Sequence, residues 1–171
     1  MTSFNFPFIR FSVLFLVFTT LVSCSSVPIT GRKQLSLIPA SQVMSMSFQQ
    51  YDDFLKENKL SSNTQQTAMV KRVGLNIQKA VESYFQQKGM SDVLKGYNWE
   101  FNLIESPDAN AWCMPGGKVV FYTGILPITK DETGMAVVMG HEVAHAIAEH
   151  GTERMSQGLL TELGGLMFTV A

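Results

Sequence analysis

Residues 131–149 read DETGMAVVMGHEVAHAIAE, and the reading of the whole chain turns on them. The run predicts one helix, apolar on nearly all sides through Met135, Ala136, Val137, Val138, Met139, Val143, Ala144, Ala146 and Ile147, with Gly151 marking its end. A helix with that pattern is expected to be buried. Inside it lies Gly140-His141-Glu142-Val143-Ala144-His145. Two residues four apart on a helix differ by about 40° in direction and about 6 Å in rise. The imidazoles of His141 and His145 therefore leave one face and can share one zinc ion, Zn2+, at about 2.0–2.1 Å each. Glu142 stands one position round the helix from the first histidine and can act as the general base that takes a proton from the attacking water. The competing explanation is a pair of core histidines and a buried glutamate. It is the weaker one, because an unpaired buried carboxylate is expensive.

Upstream the period changes. Trp99, Phe101 and Leu103 alternate with Glu100, Asn102 and Ile104, which predicts a strand. Residues 109–114 and 119–123 read as two more, joined by Pro115-Gly116-Gly117 as a hairpin turn. Before them come two helices. One covers residues 41–59, with Ser41 as a cap and Val43, Met46, Tyr51, Phe54 and Leu55 along a stripe. After a break at Ser61-Ser62-Asn63 the second covers residues 64–88, with Met69, Val73, Ile77, Ala80, Val81 and Tyr84 on one face and Gly89 at its end. A last helix begins near Thr152. Helices, a small sheet, then helices make the fold class α+β.

The chain has 171 residues, 46% hydrophobic and 16% charged, which suits one folded domain and excludes disorder as the default. A net charge of −1 with scattered Lys and Arg argues against a nucleic-acid partner. At the N-terminus Arg10 precedes the apolar run FSVLFLVFTTLV, residues 11–22, which is short for a bilayer span and fits the apolar part of an export signal. Leu21-Val22-Ser23-Cys24 resembles a bacterial lipobox, which implies cleavage before Cys24 and lipid attachment to its thiol. By resemblance to enterobacterial lipoproteins, Ser25 in the next place implies the bacterial outer membrane, periplasmic side. The expected organisation is a signal peptide over residues 1–23, an anchor and tether over 24–40, and the first portion of a metallopeptidase domain over 41–171.

Two stretches, NAWCMPGGKVVFYTGILPI at residues 110–128 and GHEVAHAIAEHGTERMSQ at 140–157, together resemble the HtpX-like and CAAX-prenyl-protease-like zinc metallopeptidases. The likeness is strongest to the lipoprotein branch of the bacterial envelope and its mitochondrial inner-membrane relatives. The resemblance implies a zincin-like fold of the gluzincin kind. It implies that Asn110, Ala111 and Trp112 form an edge strand to which substrate adds as a further strand, with Pro115, Gly116 and Gly117 as its turn. It implies unfolded or misfolded envelope proteins as substrates, and a third zinc ligand, a glutamate, on a later helix. No match to that helix precedes Ala171, so the chain is expected to be truncated at its C-terminus. Glu162 has no support from the family pattern as a substitute, and Glu149 and Glu153 read as solvent-facing or capping charges. His150, nine positions after His141, reads as a helix-end histidine rather than a ligand. Cys113 reads as a small buried hydrophobe rather than a reactive thiol. The main expectation is therefore a zinc endopeptidase. The alternative is a lipoprotein that binds unfolded chains without cutting them.

Overall fold

The computed structural model describes residues 24–169. The leader, residues 1–23, with its apolar run and the first three residues of Leu21-Val22-Ser23-Cys24, lies outside the described residues. The described chain forms two compact units, residues 40–151 and residues 24–39 together with 152–169.

The larger unit begins with α1, Ala40–Glu57, directly after Pro39, so Ser41 sits within its first turn instead of capping it. Val43, Ser47 and Tyr51, spaced four apart, form its buried face. Asn63 caps α2, Thr64–Gln87, by accepting the Gln66 N–H through Oδ1 at 3.0 Å. The sheet follows, with β3 at Glu100–Ile104, β4 at Ala111–Met114 and β5 at Lys118–Tyr122 in spatial order β3-β5-β4. The designations β1 and β2 belong to two earlier strands of the smaller unit, Cys24–Ser26 and Lys33–Leu35. β3 runs parallel to β5 with Leu103 opposite Phe121, and β4 runs antiparallel to β5 with Trp112 opposite Val120. The turn between β4 and β5 needs positive φ, +87° at Gly116 and +84° at Gly117, where an L side chain is strained. The Ser47 hydroxyl donates to the Pro115 carbonyl at 2.8 Å and ties that turn to α1.

Alternation along the strands sorts side chains to two faces. Phe101, Leu103, Val119 and Phe121 join Val70 and Val73 of α2 in the main core. Gly74 of α2 is the closest approach, because the Phe101 ring fills the place its Cβ would need. Val120 and Ile104 face the other way and cluster with Tyr51, Phe54, Trp112 and Tyr122. Lys118 is buried on this second side. It pairs with Glu100 at 3.1 Å and lies over the rings of Phe48 and Tyr51, so its charge is compensated where burial would otherwise be costly.

One helical turn, α3 at Leu126–Thr129, precedes α4, Glu132–Ile147, which closes the main core with Met135, Met139, Val143 and Ile147. The expectation that α4 is buried all round is corrected. Val137 is 70% exposed, and His141 and Ala144 are exposed with it. The end of α4 is also corrected, since the break falls at Glu149, φ +55°, and not at Gly151. α5, His150–Thr169, accordingly begins two residues before the expected start near Thr152.

In the smaller unit the residues read as a tether form structure. β1 and β2 pair antiparallel, Ser25 opposite Gln34. Arg32 pairs with Glu153 at 2.6 Å, and the Ser156 hydroxyl accepts the Leu37 N–H at 3.1 Å while donating to the Thr152 carbonyl at 2.8 Å. Glu153 is thus an ion-pair partner of Arg32. Among the described residues no helix is long and apolar enough to cross a membrane.

Candidate metal centre

α4 is held at its start by Asp131, whose Oδ1 accepts the Gly134 N–H at 2.9 Å. Nearly three turns on, the helix presents His141 and His145 from one face. Their Nε2 atoms are 2.9 Å apart and their rings nearly perpendicular at 87°. Both nitrogens thus point at one location outside the helix. Two imidazole nitrogens on a tetrahedral ion stand about 3.3 Å apart at ordinary zinc–nitrogen distances, so a small rotation of either ring suffices. The donor set fits zinc. Among the described residues no third His, Cys, Asp or Glu completes a metal-binding group, and Glu162 is exposed.

Behind His145 the geometry differs from the expected one. Nδ1 of His145 and Nδ1 of His150 are 2.6 Å apart. His150 therefore contacts the nitrogen of His145 that faces away from His141. It also stands at the start of α5, where a helix dipole does not favour positive charge. Sequence spacing gave no sign of this contact, because it depends on the reversal at Glu149.

The strand order places β4 at one edge of the sheet, packed against α4. The Asn110 carbonyl accepts from the Tyr122 N–H at 3.1 Å. Backbone groups of an antiparallel strand alternate between its two sides, so Trp112 and Met114 also turn toward β5. The N–H and C=O of Ala111 and Cys113 then face the open edge. Trp112 contributes no side chain to this edge: its ring packs on Phe54 at 5.0 Å and its Nε1–H donates to the Tyr122 hydroxyl at 3.3 Å. Pro115, Gly116 and Gly117 shape the turn, with Gly116 against Phe48 and Gly117 against Trp99. The Cys113 thiol is pushed up to about 12, first by burial and then by the negative charge of Glu142. It stays protonated at neutral pH and is a poor nucleophile. The second cause also places the Glu142 carboxylate within electrostatic reach of the edge strand. Burial, and then the charges near Cys113 and Glu149, likewise raise the Tyr97 phenol.

Residues 71–171 match the family described as peptidase family M48. The chain is 31% identical over 159 residues to the mitochondrial metalloendopeptidase OMA1 of Bos taurus, covering 92% of this chain and 29% of the relative. It is 33% identical over 133 residues to mitochondrial metalloendopeptidase OMA1 of Schizosaccharomyces pombe, covering 76% and 36%. It is 38% identical over 96 residues to the Saccharomyces cerevisiae protein of that name, covering 54% and 28%. The chain thus spans about a third of the length of these relatives. All are named as mitochondrial, which overturns the expected bacterial outer-membrane, periplasmic location and, with it, the assignment to the bacterial lipoprotein branch. A positive residue before a short apolar run does not by itself identify one compartment.

Proposed function

The chain belongs to peptidase family M48, whose members are zinc metallopeptidases, and on that premise we propose that it carries the catalytic helix of an endopeptidase acting on extended or misfolded proteins. The observation that carries this reading is the convergence of the His141 and His145 Nε2 atoms, 2.9 Å apart, on a face of α4 that is open to solvent. These two nitrogens would hold the ion. Bound zinc supplies Lewis acidity toward water and the scissile carbonyl. Glu142 takes the proton that the attacking water loses and returns it to the departing amine. The segment to be cut lies extended along β4, pairing with the outward N–H and C=O groups of Ala111 and Cys113. Asn110 and the turn at Pro115, Gly116 and Gly117 fix the two ends of that strand. This mode of binding requires accessible backbone, which is why unfolded segments are the proposed substrates. Cys24 is proposed as a point of lipid attachment on Leu21-Val22-Ser23-Cys24 alone, with no compartment implied, and the intact mass of membrane-extracted protein checks it.

The test is cleavage of casein with added zinc. Glu142→Gln is expected to lower the rate by about 10²- to 10⁴-fold, the range for a general base, while zinc uptake persists. Full activity in that variant would sink the mechanism. A second reading, binding of unfolded chains without cleavage, is favoured by the two-histidine donor set found among the described residues, since two imidazoles alone hold zinc weakly. Binding of casein that survives chelation, with no products, would select it.

A further inference from the structure

The contact between His145 and His150 has a consequence for the metal face, and the inference drawn from it rests on the metalloendopeptidase reading above. A neutral imidazole carries one N–H and one lone pair. His145 is engaged at both nitrogens: Nε2 lies 2.9 Å from Nε2 of His141, and Nδ1 lies 2.6 Å from Nδ1 of His150. With all three rings neutral, only two arrangements of protons satisfy both contacts. In one, His145 carries its proton on Nδ1 and donates it to His150, so its Nε2 presents a lone pair to the metal face. In the other, His150 donates to His145, the His145 proton sits on Nε2, and that nitrogen cannot hold a metal.

We propose that His150 is a positioning residue that accepts the Nδ1–H of His145, fixing the tautomer and ring orientation in which Nε2 of His145 is a metal ligand. A partner of this kind on the rear nitrogen of a ligand histidine raises its basicity and restrains its ring. In the metal-free chain the same arrangement gives a continuous relay, with the His141 Nε2–H donating to Nε2 of His145 and the His145 Nδ1–H donating to Nδ1 of His150.

The backbone is built to make this contact. On an uninterrupted helix a residue five positions on points about 140° away round the axis, so His150 would look away from His145. The chain instead leaves α4 at Ala148, passes through Glu149 at φ +55°, and starts α5 at His150. The two rings end 4.8 Å apart with 60° between their planes. A left-handed conformation is uncommon for a residue with a side chain. Here it turns His150 back over the rear of the ligand histidine.

Two measurements on the full chain decide the matter. The first uses no variant: nitrogen-15 imidazole spectra of the metal-free protein at a pH of about 8.5, above the ordinary histidine range. His145 is expected with its proton on Nδ1, and a proton on Nε2 would overturn the inference. The second is zinc affinity by competition with a chromophoric chelator. His150→Ala is expected to weaken zinc binding about 10- to 100-fold, the usual loss for such a partner. His150→Asn, whose side-chain carbonyl can accept the same proton, should recover most of it. An unchanged affinity in His150→Ala would overturn the inference, as would equal losses in the two variants. If the parent chain takes up no zinc at all, the metal-site reading fails, and the tautomer spectrum still decides the role of His150.

Discussion

The two faces of α4 share apolar residues, yet one is packed and the other is open to solvent. One face, Met135, Met139, Val143 and Ile147, is buried against the sheet and α2. The other carries Val137, His141 and Ala144 into solvent, with His145 half-buried beside them. Four apolar side chains on the inner face fix where the helix lies, and this lets the outer face spend its positions on two imidazoles whose nitrogens must meet within tenths of an ångström. An exposed face can therefore keep a defined geometry because the opposite face is packed, and the proposed chemistry would depend on side chains it never touches.

Each of the following changes separates the faces. The largest effect belongs to the outer one: Glu142→Gln should remove about 10²- to 10⁴-fold of casein cleavage and leave the thermal midpoint where it was. Met139→Ala attacks the inner face and should cost about 2–5 kcal/mol of stability, read by urea unfolding, with any remaining folded protein still able to bind zinc. If instead zinc binding disappears in molecules that are still folded, the two faces are not separable. Asp131→Ala removes the cap that starts the helix and should cost about 1 kcal/mol, visible as a lower urea midpoint. Val137→Ala changes an apolar residue on the outer face and should alter stability by less than about 0.5 kcal/mol. A loss comparable to Met139→Ala would show that the outer face is packed against something in solution.

Much of this arrangement was legible in the sequence, for reasons that can be named. The four-residue spacing of His141 and His145 translates directly into a shared direction, because helix geometry is local. The hairpin at Pro115-Gly116-Gly117 was legible because positive φ at two successive positions calls for glycine. Three features were not. The parallel pairing of β3 with β5 joins strands that have β4 between them in sequence, and no local residue encodes a pairing of that kind. The β1–β2 hairpin consists of strands three residues long, too short for an alternating pattern to show. The reversal at Glu149 uses a residue with no special preference for positive φ, so both the end of α4 and the approach of His150 stayed hidden. The exposed side of α4 was misread because Val137 and Ala144 are apolar, and hydrophobicity reports what a residue tolerates more than where it is.

On the proposed function, the outer face of α4 binds a metal ion. Equilibrium dialysis of the full chain across a range of zinc concentrations, beside His141→Ala and His145→Ala, separates such a face from two merely exposed histidines. One zinc is expected per parent chain and none in either variant, with all three equally folded by circular dichroism. A parent that binds no zinc, or variants that bind it as the parent does, would rule the metal-binding face out.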